Sequence, residues 1–288
     1  MPNSFAVSIK KELSGLRSLI RFVVRNFSSF GIDIVKVALS LRGLPIVIGQ
    51  YFELKRQNAA AGGKWLLKFG LICPGDRYDT SGVVSGHYFH QDLLVARRIF
   101  EANPKKHVDV GSRIDGFVAH VASFRTIEVL DIRPMGSDVM NIKSRVCDVM
   151  VLPEEYHEYC DSLSCLHALE HFGLGRYGDP LDIDGYLRGF AGLKRLLKAG
   201  GTLYLSVPIG RQQIEFNAHR VFSIRTILDM VSSDFVLSDF SYVDDSGDLH
   251  ASVHLDDSSI ENDLSLQYGC GIFELLKRSR GAGLEPEK

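Results

Sequence analysis

The sequence predicts an α/β fold: a mostly parallel sheet of seven strands with helices on both faces, preceded by a helical N-terminal extension. Three observations predict it. The apolar segment His107-Val108-Asp109-Val110 runs into Gly111, a helical stretch follows, and a second apolar segment, Ile127-Glu128-Val129-Leu130, ends on Asp131. That is the layout of a nucleoside-binding βαβ unit. Beyond it, strand and helix signals keep alternating, which places ligands at the carboxyl ends of the strands. Finally, 288 residues suffice to bury the core of one large α/β domain with an appendage.

In chain order, the first part reads as helices broken by loops at Gly31, at the Gly43/Pro45 pair and at Gly62-Gly63, with Pro74-Gly75-Asp76 opening a turn-rich stretch through Gly86. This gives an extension over 1–85, a main domain over 86–280 and a flexible tail over 281–288. Leu93, Leu94, Ala96, Ile99 and Phe100 carry a helical period over 92–102, which Pro104 ends. Strands are expected at 106–110, 126–131, 145–149, 161–166, 201–207, 234–243 and 270–277, and helices at 115–123, 184–198 and 223–232. The last two strands, separated by the polar segment Asp244 to Asp263, suit an antiparallel pair.

A formal net charge of −2 makes no case for nucleic acid as a partner. Residues 1–60 carry nine Lys or Arg against three acids, a net of +6 that leaves −8 for the rest. Their apolar face of Leu16, Leu19, Ile20, Val23, Val24 and Phe27 suits an anionic membrane surface, and equally packing on the chain's own domain or on a second subunit in an oligomer. No apolar run approaches the ~20 residues that span a bilayer, and no signal-peptide core is visible. The five cysteines show no Cys-x-x-Cys pair and suit reduced thiols. The expected location is the cytoplasm, with membrane contact only peripheral.

Gly111 lets a ligand approach the main chain, and the N-H groups of the following helix suit a carboxylate or phosphate. Asp131, at the tip of the second strand, can accept from both ribose hydroxyls. Asp148 can accept from an exocyclic amine or cap a turn. His167, Glu170 and His171 stand at i, i+3 and i+4, a spacing that can ligate a divalent metal, place a general base or form a hydrogen-bonded structural network. Lys198-Ala199-Gly200-Gly201 reads as a helix end with a glycine cap. Phe216-Asn217-Ala218-His219-Arg220 offers either anion recognition or packing. His87, Tyr88, His90, Gln91 and Asp92 form a further polar cluster, read as a lid or as a solvated helix cap.

Asp109-x-Gly111, Val129-Leu130-Asp131, Cys147-Asp148, Leu169-Glu170-His171, and Gly200-Gly201 followed by Ser206-Val207-Pro208 resemble, in order and spacing, the Rossmann-like class I S-adenosylmethionine-dependent methyltransferases. The segments Gly86 to Asp92, His107 to Arg113, Gly173 to Asp179 and Asn217 to Arg220 resemble the family of domain of unknown function 268, a methyltransferase-like group. The resemblance spans about residues 70 to 278. It implies that Asp109, Gly111 and Ser112 line the methionine part of S-adenosylmethionine, that Asp131 holds the ribose and that Asp148 approaches the adenine amine. Arg113 and Asp115 depart from the pattern by replacing two glycines. His167, Glu170 and His171 are also similar to the Glu-x-x-Glu-His metal-binding pattern of quinone-pathway O-methyltransferases, with His for the first Glu.

The expected function is methyl transfer to an oxygen or nitrogen of a small polar acceptor, a sugar or sugar nucleotide of surface-glycan synthesis, with His167, His171 and His219 as candidate bases. Two alternatives stand beside it. One is a non-catalytic binding or scaffold protein that kept the fold and lost the turn. The other, a nicotinamide-dependent oxidoreductase, shares the first βαβ unit but not the downstream segments.

Overall fold

In this computed structural model, residues 23, 24 and 26–279 are described. The expected face residues Leu16, Leu19 and Ile20 and the expected 281–288 tail lie outside them. The chain divides into two compact units, Met1–Val83 and Val84–Lys288.

The first unit is built on helix α1 (Ile34–Ala60), whose Asp33 side chain caps it by accepting from Lys36 N. The expected break at Gly43/Pro45 does not occur, because the helix runs through both. Gly43 stays in the helix because it is where the chain returns: a Cβ there would lie 1.9 Å from the Pro74 carbonyl oxygen. The helix is also long and apolar enough, by length and composition, to cross a membrane, with an 18-residue window of mean hydropathy 1.3. This corrects the expectation that no such run exists. Lys36 and Arg42 interrupt the apolar sequence without ending the helix. Val35, Val37, Leu41, Phe52 and Leu54 all stand exposed along it.

The second unit is the α/β domain. It opens with α2 (His87–Ala102), five residues earlier than the period suggests, then β1 (His107–Val110), a wide turn at Ile114–Val118, α3 (Ala119–Ala122) and β2 (Ile127–Asp131). After these come β3 (Ile142–Val146), β4 (Cys160–Leu166), α4 (Gly185–Leu196) and β5 (Leu197–Ile209). A small ribbon of β6 (Gln213–Glu215) and β7 (His219–Val221) precedes α5 (Ile224–Val231), β8 (Phe235–Val243), β9 (Leu249–His250) and β10 (Gly269–Lys277). The main sheet has eight strands in the order β3-β2-β1-β4-β5-β10-β8-β9, the eighth being the two-residue edge β9. Strands β1 to β5 pair in parallel, and β10 runs antiparallel between β5 and β8.

Alternation along β5 explains the two layers. Leu203, Leu205 and Val207 join one core with Leu193 and Leu196 of α4 and Ile224 and Ile227 of α5. Tyr204 faces the other, with Val95 and Ile99 of α2, Phe117 and Val121. Each fully buried Leu or Ile contributes about 1.5–3 kcal/mol of burial free energy. The expected glycine cap at Gly200 is a correction. The backbone turns directly from Leu196 of α4 into β5, and Gly200, at φ +73°, occupies an irregularity where the β4 register jumps from Leu197 to Thr202. Residues 198–201 stand opposite the single residue Asp161, so the left-handed glycine serves a bulge and not a helix end.

Candidate active site

A cavity of about 810 Å³ opens at the carboxyl edge of β1 to β4, within the usual range for small-ligand sites. The ends of β1, β2 and β3 contribute Gly111, Ser112, Asp131, Cys147 and Asp148 to its wall. The segments after β4 and around β7 and β10, with the start of α2, contribute Tyr88, His167, Glu170, His171, His219 and Tyr268.

Gly111 adopts φ +71°, and a Cβ there would stand 3.0 Å from Ala168 Cβ; the left-handed turn and the open wall both depend on glycine. Asp109 takes no part in the wall. It is fully buried and accepts from Ser112 N at 3.0 Å, Ser112 Oγ at 2.6 Å and Ser164 Oγ at 2.5 Å. Burial pushes its carboxyl up to about 6, against the lowering by those hydrogen bonds. Asp109 therefore braces the turn from beneath, while Ser112 also accepts from Leu166 N and ties β1 to β4. Arg113 and Asp115, the departure from the pattern, stand at the rim of the cavity and line it: the two pair at 2.8 Å with side chains 52% and 75% exposed, and the Arg113 guanidinium lies 4.9 Å over the Tyr88 ring. The turn that follows is distorted at Gly116, where a Cβ would come within 2.4 Å of Asp92 Oδ2.

Asp131 reaches the cavity with its carboxylate held by Arg133, through the backbone N at 2.8 Å, Nε at 3.0 Å and Nη2 at 2.8 Å. Asp148 accepts from Met150 N and so caps the turn at Val149–Val151 while lining the cavity. Both of the uses foreseen for it are compatible.

The histidine cluster assembles, but not from one helical turn. His167 sits at φ +50°, between β4 and the short turn Leu169–His171, a strained conformation of the kind found at functional sites. Its Nδ1 meets Glu170 Oε1 at 2.8 Å. His167 Nε2, Glu170 Oε2 and His219 Nε2 are buried with no hydrogen-bond partner in the protein. His171 Nδ1 donates to the Ala218 carbonyl at 2.7 Å, leaving Nε2 as the basic nitrogen, 3.7 Å from Glu170 Oε1. Burial opposes charge on His167, yet the neighbouring Cys270 and Glu170 overcome it and hold the imidazole well above its ordinary value. Burial lowers both His171 and His219, which favours their neutral, proton-accepting forms. Of the three expected bases, His167 is thus committed to Glu170, while His171 Nε2 lies 3.7 Å from Glu170 Oε1 and His219 Nε2 lies 4.0 Å from Glu215 Oε2.

Arg220 answers the anion-or-packing question for its own side chain. Its guanidinium is buried and donates to the carbonyls of Glu170, Phe172, Asp182 and Ile183. The solvated-cap reading of the α2 start fails for Gln91 and Asp92, at 1% and 4% exposed, while Tyr88 stays exposed.

Residues 118–267, just over half of the chain, match the family described as "Caenorhabditis protein of unknown function, DUF268". The chain belongs to the DUF268 family. No curated protein matches it in sequence. Among solved structures this DUF268 chain is similar to a Burkholderia thailandensis 1,6-didemethyltoxoflavin-N1-methyltransferase with bound S-adenosylhomocysteine, at 14% identity over 65% of this chain and 79% of that one, with a TM-score of 0.46. It is similar also to the N-methyltransferase NodS of Bradyrhizobium japonicum, at 11% identity over 67% and 89% with TM-score 0.46, and to the [4+2]-cyclase SpnF, at 15% over 66% and 81% with TM-score 0.47.

Several residues of the DUF268 site escape sequence reasoning. Tyr268 and Cys270 lie about a hundred residues after His167 and reach it only because β10 pairs with β5. The glycines of Tyr268-Gly269-Cys270-Gly271 were the available signal. Arg133 and Tyr177, stacked with the guanidinium 4.4 Å over the ring, form a wall that no motif announced.

Proposed function

We propose that this protein is an S-adenosylmethionine-dependent methyltransferase that acts on a hydroxyl or amine of a small polar molecule, a sugar or sugar nucleotide in surface-glycan synthesis. One observation carries the reading. The nucleoside-type wall of Gly111, Asp131 and Asp148 shares a single cavity with two histidines that retain a basic nitrogen. The fit rests on the chemistry of these groups: a glycine turn open to a ligand, a carboxylate at the tip of β2 for ribose hydroxyls, and a carboxylate after β3 for an amine. The cofactor supplies an electrophilic methyl group when bound. The chain's task is then to orient the acceptor, exclude water and take its proton. His171 Nε2 and His219 Nε2 are the atoms suited to that proton, and Arg176 and Tyr177 border the same space for an acidic or sugar-like acceptor. The Arg113–Asp115 pair satisfies both charges at the cavity rim, which is compatible with the enzyme reading.

Calorimetry with S-adenosylhomocysteine tests this. We expect one site per chain, weakened by about 1–3 kcal/mol in Asp131→Ala, the worth of hydrogen bonds to a charged group. Failure of the folded wild type to bind would end the enzyme reading. We further propose that the chain works in the cytoplasm on a membrane surface held by its basic N-terminal unit. The exposed apolar residues of α1 and the surrounding Lys36, Arg42, Lys55 and Arg56 support that contact.

A further inference from the structure

His87, His167 and Cys270 come from three separate elements, the start of α2, the end of β4 and the start of β10, yet their ligand atoms all lie within 4.8 Å of one another. We propose that these three side chains form a binding site for a zinc-class divalent ion, with a fourth position left for an oxygen of water or of a bound small molecule.

The donor set suits such an ion: one thiolate and two imidazoles match a borderline-soft metal and are poor ligands for magnesium or calcium. Three protein ligands leave one tetrahedral position open, as in catalytic zinc sites. The orientation of His167 is the second, independent observation. Its Nδ1 is fixed on the Glu170 carboxylate at 2.8 Å, and its buried Nε2 has no partner besides the Cys270 sulfur. A carboxylate behind one imidazole nitrogen with the other nitrogen left bare is how metal-binding histidines are aimed. The backbone of Tyr268 also engages the His87 ring. That ring lies parallel to the His167 ring, at 7° and 5.1 Å between centroids. Cys270 is fully buried, with Sγ 3.6 Å from Gln91 Oε1.

This site differs from the His167, Glu170 and His171 spacing seen in the sequence. Glu170 stands behind His167 and His171 turns to the Ala218 carbonyl, so only His167 is shared. Loading releases the Cys270 thiol proton and the proton on His167 Nε2 to solvent, because the thiolate and the neutral imidazole are the ligands. The inference stands apart from the methyltransferase reading, since neither the glycine turn nor Asp131 takes part in it.

The test uses the full chain, stripped with chelator and titrated with Co²⁺ and then Zn²⁺. We expect one Co²⁺ per chain with a near-ultraviolet thiolate-to-cobalt charge-transfer band, displaced by Zn²⁺. Cys270→Ser removes the band and weakens Zn²⁺ binding at least ~10-fold, and His87→Gln weakens it comparably. Glu170→Gln keeps the band and weakens binding about 10–100-fold, while His171→Ala leaves both unchanged. Circular dichroism checks each variant's fold, and His87→Gln carries the test if Cys270→Ser does not fold. No stoichiometric Co²⁺ in the wild type, a band that survives Cys270→Ser, or loss of the metal in His171→Ala overturns the proposal. The S-adenosylhomocysteine titration on the same samples is read separately, so failure of either idea leaves the other standing.

Discussion

At the level of single residues, Gly111, His171 and His219 make the sharpest demands. Gly111→Ala forces an L side chain to φ +71° and brings its Cβ to 3.0 Å from Ala168. We expect a stability loss of about 1–2 kcal/mol together with weakened S-adenosylhomocysteine binding, read by thermal unfolding and calorimetry on one sample. A variant that loses stability but binds normally would remove the turn from the site. For His171 and His219, burial favours the neutral ring and lowers the proton affinity from the ordinary 6.5. The neutral base therefore dominates above a value lower than 6.5, so the rate should stay level at neutral pH and fall only as acid titrates the ring. Replacing the operative histidine by Ala should lower kcat about 10²–10⁴-fold and abolish that acid limb. A limb that persists in both single variants would assign it to another group.

Between elements, the packing of α4 on the turn after β3 connects the core to the cofactor wall. Gly192 lets α4 lie directly on Val149, since a Cβ would fall 1.9 Å from the Val149 carbonyl oxygen. Backbone cannot yield as a flexible side chain does, so Gly192→Ala should cost about 1–3 kcal/mol through overpacking. The same turn is capped by Asp148, and we expect the displaced turn to weaken cofactor binding as well. Unfolding curves in denaturant measure the first effect and calorimetry the second. An unchanged midpoint would mean that α4 shifts along the sheet without penalty.

For the molecule as a whole, the proposed membrane contact of the first unit gives a test of its own. The described helix α1 runs for 27 residues with Val35, Val37, Leu41, Phe52 and Leu54 exposed. If its apolar surface enters the lipid, the chain should sediment with vesicles rich in phosphatidylserine and stay bound in high salt, because salt screens charge and not apolar burial. Full release by salt would reduce the contact to an electrostatic one, and no sedimentation at all would exclude the membrane proposal.

Local patterning determined much of this protein. The alternation of strand and helix, the β1-turn-β2 unit ending on Asp131 and the polar character of 167–171 and 217–220 were legible, because apolar period and glycine turns act over a few residues. Even there the boundaries slipped: β3 lies three residues before its expected place, and α2 starts at His87 because Gln91 and Asp92 are buried rather than solvated. Helix α1 was missed because Gly43 and Pro45 look like a break unless one knows that Pro74 packs on Gly43. What only the tertiary structure decided was direction and company. Asp109 turns inward to Ser112 and Ser164, and Cys270 arrives beside His87 and His167 across the sheet. Both follow from β1 pairing with β4 and β10 with β5. Such pairings join residues far apart in sequence, and no local periodicity encodes which strands become neighbours.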